Sequence, residues 1–337
     1  MNLPRIPVSL LDRANARVGS SPGAELAVVL ERARRAEALG FHRFWVAEHH
    51  AVPGIVGSAP TLLMAAIAAQ TQQIRVGSGG VMLPNHQPLV VAEQIGTLQA
   101  LHPGRIDLGI GRSVAFTEPI RAALRQDLGA ADRFDADLAE LLSYLSGTAP
   151  ITARPADGGA TPPFVLAMGR GVEYAAPTGL AVVVGGAAFS GPRADEALER
   201  LQRYRDEFVP STWWPEPYVM VAVNVAVGDT PDAALELLLP EAWSMAAART
   251  LGDFTPLISA AAVSERTLTT RQHGLITDHL AAASHGTPDE IGTQVAELVR
   301  RTGADELLVT TNTFDPEALW DNDRRLAELF GTPPIKP

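Results

Sequence analysis

The chain of 337 residues contains no cysteine. Disulfide bonds, thiolate metal sites and a cysteine nucleophile are therefore excluded together. Basic residues are outnumbered, because 27 Lys and Arg stand against 38 Asp and Glu, which gives a formal net charge of −11. Nucleic acids and anionic membranes attract positively charged surfaces, so this balance argues against either as a partner.

Long apolar runs are also missing. No segment reaches the roughly 18 uncharged apolar residues that a membrane span requires. The first residues, Met1-Asn2-Leu3-Pro4-Arg5, lack the charged region followed by an apolar region that marks a signal peptide. We therefore expect a cytoplasmic protein that does not enter a membrane.

Apolar residues make up 46% of the chain, which is ample for a large core. Short apolar runs alternate with segments of helical period, an order typical of a parallel α/β barrel. The predicted strands are 6–11, 43–47, 74–78, 106–110, 165–167, 181–184, 218–227 and 306–310. The predicted helices are 24–39, 59–70, 89–101, 118–145, 172–176, 193–208 and 316–330. Eight strands with intervening helices predict a (β/α)8 TIM barrel.

Two segments interrupt this alternation. Residues 150–163 are rich in Gly, Pro and Ala, and residues 239–284 are mixed in pattern. We expect them to be insertions after the fourth and seventh strands, on the face of the barrel where active sites form. The prediction is one domain over residues 1–330 and a frayed tail over 331–337, which contains three prolines.

The second predicted strand ends abruptly in Glu48-His49-His50. Strand neighbours point to opposite faces, so His49 and His50 are not expected to share a metal ion, and no metal site is predicted. A neutral imidazole with a pKa near neutrality, held by Glu48, is suited to proton transfer. A purely structural histidine remains the alternative.

Glycine pairs follow two further strands. Gly79-Gly80 permits a flat ligand to approach the main chain, although a simple bulge is the alternative. Gly109-Ile110-Gly111 begins like a dinucleotide fingerprint, but Val114 occupies the third glycine position. A Rossmann-type site is therefore excluded.

Two arginines lie near predicted strand ends. Arg112 is suited to anchoring a phosphate, with a salt bridge to Asp107 or Glu118 as the structural alternative. Gly169-Arg170-Gly171 opens a helix and could form an anion-binding nest, or equally an ordinary turn with a surface arginine.

Taken together, these segments resemble the bacterial luciferase-like flavin-dependent monooxygenases, the luciferase-family oxidoreductases of the group 1 type. Each segment is short, but the combination spans nearly the whole chain. The segments that carry the resemblance are GFHRFWVAEHH (40–50), SAP (58–60), RVGSGGVMLPNH (75–86), PGRID (103–107), YVMV (218–221) and GADELLVTTN (303–312).

The resemblance implies that reduced FMN binds at the carboxyl ends of the strands. In such enzymes O2 and reduced FMN give a C4a-hydroperoxide, which oxygenates an organic substrate. His49 matches the catalytic histidine, and Gly79-Gly80 matches a main-chain shelf with a cis non-prolyl peptide. Gly111 is implied to lie beside the C4a edge of the flavin, and Arg112 to hold its phosphate.

One segment departs from the family pattern. Close relatives carry a Leu-Gly-Ser-Ser run near this phosphate, where this chain has Leu166-Ala167-Met168-Gly169-Arg170-Gly171. The hydroxyl donors are gone, so Arg170 replaces them by charge or the flavin binds weakly. Met168, Gly169, Arg170 and Gly171 are retained as predicted cofactor-binding residues.

The expected function is that of a two-component monooxygenase that receives reduced FMN from an NAD(P)H:flavin reductase and acts as a homodimer. The expected substrate is small and apolar or aromatic, as in natural-product tailoring. Its pocket is predicted to be lined by Leu11, Glu48, Val52, Ile55 and Val56. The alternatives are a non-catalytic, flavin-free barrel subunit and a deazaflavin-dependent dehydrogenase.

Overall fold

The computed structural model of the chain describes residues 6–114, 117–167 and 171–334. Its strands form one sheet in which all neighbours are parallel. The strands are β1 (Val8–Asp12), β2 (Arg43–Val46), β3 (Arg75–Ser78), β4 (Val81–Met82), β5 (Ile106–Gly111), β6 (Pro163–Ala167), β7 (Ala181–Gly185), β8 (Val219–Val227), β9 (Ser284–Gly286) and β10 (Glu306–Thr310).

The sheet closes on itself. Its order is β10-β1-β2-β3-β5-β6-β7-β8, and β8 pairs again with β10. The short strands β4 and β9 extend the pairing of β5 and β8 at their carboxyl ends. Eight strands thus form a closed parallel barrel, which confirms the predicted (β/α)8 TIM barrel.

Helices surround the barrel. They are α1 (Pro22–Ala38), α2 (Pro60–Ala68), α3 (Pro88–Leu101), α4 (Glu118–Ala123), α5 (Phe134–Ser146), α6 (Gly171–Thr178), α7 (Ala194–Asp206), α8 (Pro231–Leu251), α9 (Ala260–Ser264), α10 (Thr270–Ala281), α11 (Pro288–Thr302) and α12 (Pro316–Phe330). No described helix is both long and apolar enough to cross a membrane.

Two predicted boundaries are wrong and one helix was missed, each for a local reason. The helix expected over 118–145 is divided, because Arg125 has a positive φ of 57° and a short 3-10 turn precedes α5. The insertion expected from residue 239 begins inside α8, since Pro240 is accommodated within that helix. Helix α11 was not predicted, although a capping box of Thr287 and Glu290 starts it and Gly303 ends it.

The tail also differs from the expectation of fraying from residue 331. The Thr332 hydroxyl donates to the carbonyl of Leu39 at 2.5 Å, and its N–H donates to Ala327. A Cβ on Gly40, which has a φ of +81°, would lie 2.1 Å from the carbonyl oxygen of Pro333. Residues 331–334 therefore pack against the end of α1, and residues 335–337 lie outside the described chain.

The barrel interior is layered. Near the amino ends of the strands, Arg43 is buried between Asp107 and Glu306. Above it, Trp45 and Phe164 meet edge to face at 5.0 Å. Trp214 packs on Phe164 from the same end. The amino end of the barrel is thus filled, and the carboxyl end is left for chemistry.

The insertion of α8, α9 and α10 reaches across that carboxyl end to the loops after β1 and β2. Leu257 exchanges backbone hydrogen bonds with Ala16 and Val18, and Phe254 accepts one from Gly54. Three loops are therefore joined by main-chain bonds, which fixes the loop after β2 where His49 lies.

Arg32 of α1 is a fully buried ion-pairing residue of the outer layer. Its guanidinium contacts Asp323 of α12 at 2.8 and 2.9 Å and Asp12 of β1 at 3.0 Å, with no exposure. Arg32→Met should lower the free energy of unfolding by about 3–5 kcal/mol, because two buried carboxylates lose their partner. Denaturant unfolding measures this loss.

Arg324→Met is the matched control, since Arg324 of α12 pairs with Asp321 and Glu328 on the surface. We expect a loss of about 1 kcal/mol or less. Equal losses in the two variants would contradict the role given to Arg32.

Candidate active site

The predicted site residues meet at the carboxyl ends of three neighbouring strands. His49 follows β2, Gly79 and Gly80 follow β3, and Gly111 and Arg112 stand at the end of β5. In a parallel barrel these ends share one face, so residues about 30 positions apart in sequence become neighbours.

Glu48 is the centre of a hydrogen-bond network on this face. Its carboxylate contacts His50 Nε2 at 2.8 Å and His86 Nε2 at 2.9 Å, and it accepts from the N–H of Met82 at 3.0 Å and from Asn85 at 3.3 Å. Burial alone would raise the pKa of Glu48, but the hydrogen bonds from His50 and His86 outweigh it and lower the pKa to about 2. Glu48 is ionised at neutral pH.

This network corrects two expectations. The Glu48 side chain has no exposure, so its carboxylate does not line a substrate pocket. Glu48 also holds His50 and His86, neither of which the sequence had assigned to it. His86 lies 38 residues further along the chain, and sequence reasoning gave it no role. Its signal was the Asn85-His86 pair that follows the glycine-rich third strand.

Glu48, His50 and His86 each offer an atom that could bind a metal ion, and these atoms lie within 4.8 Å of one another. The same atoms make the hydrogen bonds described above, and Met82 and Asn85 donate to the carboxylate as well. In this arrangement each imidazole is hydrogen-bonded to the carboxylate.

His49 occupies a different environment from its neighbour His50. The backbone N–H of His49 donates to the carbonyl of Gly57 at 3.0 Å, and the imidazole ring is largely buried. Burial, followed by the positive charge of Arg13, lowers the pKa of His49 to about 4, and the charge of Glu48 opposes this shift only in part. The expected pKa near neutrality is therefore wrong, while the expected neutral imidazole is what the environment favours.

Gly79 and Gly80 are joined by a cis peptide bond, as the resemblance implied. A Cβ on Gly79 would lie 2.6 Å from Leu11 Cδ1, and one on Gly80 would lie 2.8 Å from the carbonyl oxygen of Gly109. The main chain of Gly109 leaves no room for a side chain at Gly80, and a side chain at Gly79 would require Leu11 to move. The segment is thus a bare main-chain surface of the kind that a planar ring can approach.

Arg112 makes neither of the salt bridges considered from the sequence. Its Nε donates to the carbonyl of Ala131 at 2.9 Å, and a terminal nitrogen lies 3.6 Å from Asp132. Asp107 is instead occupied by Arg43 and Arg75. The Arg112 side chain is 40% exposed, which leaves guanidinium N–H groups available to an anion.

The third predicted phosphate-binding segment is described only at its end. Met168, Gly169 and Arg170 lie outside the described residues. Gly171 is the first residue of α6, which follows β6. A helix start beyond a strand end is where phosphate groups bind in many folds, and the role of this segment remains a prediction.

The apolar residues expected to line a substrate pocket lie at different depths. Leu11 is buried in the barrel interior under Gly79. Val52, Ile55 and Val56 are half-buried in the loop after β2, where Ile55 bridges to Asn15 and Val56 also packs against the main hydrophobic core. The role of these four residues in the pocket remains a prediction.

Sequence reasoning missed a charged group beside His49. Arg13 follows β1 directly and pairs with the fully buried Glu241 of α8, behind which His279 of α10 lies 4.0 Å away. The available signal was an arginine immediately after an apolar strand, which is the pattern that identified Arg112. Glu241 could not be found in this way, because it lies in the middle of a long helix.

Comparison with known proteins agrees with this geometry. The family model of the luciferase-like monooxygenases matches residues 6–306. The chain belongs to this family. A luciferase-like monooxygenase of Escherichia coli (strain K12) is 35% identical over 321 residues, which cover 93% of each chain.

Two further relatives carry more specific names. The N-acetyl-S-alkylcysteine monooxygenase of Bacillus subtilis (strain 168) is 41% identical over 150 residues, 44% of this chain and 45% of that one. The crystal structure of apo-MsnO8 superimposes with a TM-score of 0.84 at 32% identity and covers 98% of this chain and 99% of the other. The protein is an enzyme of the flavin-dependent monooxygenase class.

The low pKa of His49 gives a pH-dependence that can be measured. Between pH 6.5 and about 4 the unfolded chain binds a proton at this histidine and the folded chain does not, so stability falls as the pH falls through this range. His49→Gln should therefore lose less stability than the wild type between pH 7 and pH 4.5. Chemical denaturation at several pH values measures the difference.

NMR titration provides an independent test. The imidazole signals that disappear in His49→Gln should titrate with a midpoint well below 6. A midpoint near 6.5 would contradict the buried, neutral state assigned to His49.

Proposed function

We propose that the enzyme uses reduced FMN and O2 to oxygenate a small apolar or aromatic organic substrate, as in natural-product tailoring. Reduced FMN is supplied by a separate NAD(P)H:flavin reductase, and the enzyme acts as a homodimer. The apolar residues Leu11, Val52 and Ile55 near His49 support the substrate class.

The observation that supports this proposal most strongly is the convergence on one face of a bare main-chain surface, a partly exposed arginine and a neutral histidine. Gly79 and Gly80 would lie against the flavin ring, with Gly111 near its reactive edge. Arg112 would hold the phosphate, together with the segment 168–171. The close approaches at the two glycines and the free N–H groups of Arg112 fit a planar ring that carries an anionic tail.

When bound, reduced FMN supplies the electrons that activate O2. The chain itself positions the ring, excludes water and handles protons. His49 is neutral at pH 7, so one of its ring nitrogens is a hydrogen-bond donor and the other an acceptor beside the proposed flavin site. His50 is bound to Glu48 and is expected to stabilise the loop instead.

Anaerobic titration with reduced FMN, followed by addition of 18O2 and candidate substrates, tests the proposal. We expect saturable binding of reduced FMN and one 18O atom in the product. Preferential binding of the reduced deazaflavin F420, with hydride transfer and no 18O incorporation, would favour the dehydrogenase alternative. Absence of binding to either flavin would contradict the proposal.

Arg112→Ala should weaken binding of reduced FMN by more than tenfold, because it removes a charge-assisted contact of roughly 1.5–3 kcal/mol. Arg112→Lys should restore little, since an ammonium group cannot reproduce the two-pronged contact of a guanidinium. Arg324→Ala on the outer surface of α12 is the matched control and should bind normally. Unchanged affinity in a folded Arg112→Ala protein would remove Arg112 from the phosphate site.

His49→Ala should leave binding of reduced FMN within a few-fold of the wild type. Product formation should fall about 10²–10⁴-fold, the usual range for a lost acid or base, and H2O2 release should rise correspondingly. His273→Ala, at an exposed position of α10, is the control for histidine removal. Coupled turnover in His49→Ala would make His49 a structural histidine.

A further inference from the structure

Arg13 stands at the mouth of the barrel. Two preceding residues of β1 face the interior: Ser9 donates to Glu306, and Leu11 lies in the cluster around Trp45. Strand side chains alternate between the two faces, so Arg13, two residues after Leu11, continues the inward-facing set just beyond the end of the strand.

Arg13 is close to His49. The strands β1 and β2 are neighbours, with Leu11 beside Trp45 and Asp12 beside Val46. The carbonyl of Arg13 lies 3.3 Å from the position of a Cβ on Gly57, and Gly57 accepts the N–H of His49. The charge of Arg13 contributes to the lowered pKa of His49. Arg13 therefore lies at the same end of the barrel as the proposed reaction.

The way in which Arg13 is held leaves much of its guanidinium uncommitted. One terminal nitrogen pairs with Glu241, which is fully buried, and the Arg13 side chain is 25% exposed. A guanidinium carries five N–H donors. Within the described residues, Glu241 is its hydrogen-bonding partner, which leaves the other N–H groups of this partly exposed side chain to bind a ligand.

Arg32 shows what a purely structural arginine looks like in this protein. It has no exposure, and it contacts Asp323, Asp12 and the carbonyl of Thr311 with three nitrogens. Arg13 has a single carboxylate and an open side. A carboxylate that supports one edge of a guanidinium orients its other edge, which is the geometry that binds a second, planar carboxylate.

We propose that Arg13, oriented by Glu241, is a specificity-determining residue that binds a carboxylate on the substrate. This inference rests on the proposed function and refines it: the oxygenated part of the substrate is apolar, and an acidic group beside it anchors the molecule. Arg112 lies at the end of β5, separated from β1 by β2 and β3 in the barrel. The two arginines therefore serve different anions, one on the substrate and one on the cofactor.

The test uses two probes of nearly the same shape, 3-phenylpropionate and 3-phenylpropionamide, which differ in charge. Calorimetric titration of the FMN-loaded, full-length enzyme should show the acid binding about tenfold more tightly than the amide, equivalent to ~1.4 kcal/mol. Arg13→Gln should reduce this ratio to about one by weakening the acid alone. Arg324→Gln should leave the ratio unchanged.

Glu241→Gln distinguishes substrate recognition by Arg13 from neutralisation of Glu241. The variant keeps the Arg13 charge and an amide oxygen that can accept from it, so the preference for the acid should persist, and its loss would contradict recognition by the Arg13 charge. If Arg13 serves only to neutralise Glu241, the wild type has no preference for the acid. That result, or a preference that survives in Arg13→Gln, would overturn the proposal.

A measurement on the wild type covers the case in which Arg13→Gln does not fold. A carboxylate on Arg13 cancels part of the positive charge that faces His49, alongside the unchanged Glu48 and His50. The NMR titration midpoint of His49 should therefore rise with the acid and stay constant with the amide. No rise, together with equal affinities for the two probes, would overturn the proposal.

Failure of the proposed function would look different. Both probe titrations can be repeated on the flavin-free protein, in which the acid preference should persist. Loss of FMN binding with a retained acid preference would contradict the cofactor assignment alone. Normal FMN binding with equal affinities for acid and amide would contradict the role of Arg13 alone.

Discussion

The carboxylate of Glu48 is the interaction on which the arrangement of the site depends. It joins the end of β2 to the turn after β3 through His50, His86 and the N–H of Met82. Because the pKa of Glu48 is about 2, the carboxylate is charged at neutral and mildly acidic pH. A charged acceptor strengthens each of these hydrogen bonds, so the loop that carries His49 is fixed to the loop that carries the glycine pair.

The hydrogen bond from His50 to Glu48 gives His50 a different role from its neighbour His49. His50 is hydrogen-bonded to Glu48, whereas burial and the charge of Arg13 lower the pKa of His49. Proton chemistry at a neutral imidazole and structural support by a hydrogen-bonded imidazole thus come from consecutive positions. The difference follows from the alternation of side chains, since successive side chains of an extended segment point to opposite sides.

Charge is also distributed along the barrel axis. Near the amino end, burial favours a lower pKa for Arg43, but Asp107 and Glu306 outweigh it and raise the pKa, so the cation is retained. Trp45 and Phe164 then form an apolar layer. A cavity of about 450 Å3 beside Arg43 and Trp213 opens at the amino face, and this layer separates it from His49. An apolar layer therefore lies between the polar groups at the carboxyl mouth and the ion pairs near the amino end.

The sequence determined the barrel because each buried strand is a short apolar run, and β10 and α12 have the predicted bounds. It also placed Gly79, Gly80, His49 and Arg112 at or near strand ends, since each lies within three residues of such a run. It could not assign the partner of Glu48, because adjacency favoured His49 while the fold supplied His86 from a distant turn. The divided helix before α5 depended on one backbone conformation, at Arg125, that composition does not reveal.

The same limit explains why Arg13 emerges only from the fold. An arginine after a strand has several possible partners, and the choice of Glu241 depends on α8 crossing the barrel mouth. Once that contact exists, the guanidinium of Arg13 is oriented while some of its N–H donors stay available, and its charge acts on His49. Burial is the larger cause of the low pKa of His49, so an anion on Arg13 removes the smaller contribution and the imidazole stays neutral at pH 7. Substrate charge would thus set the position of the ligand without changing the protonation state of the residue beside it.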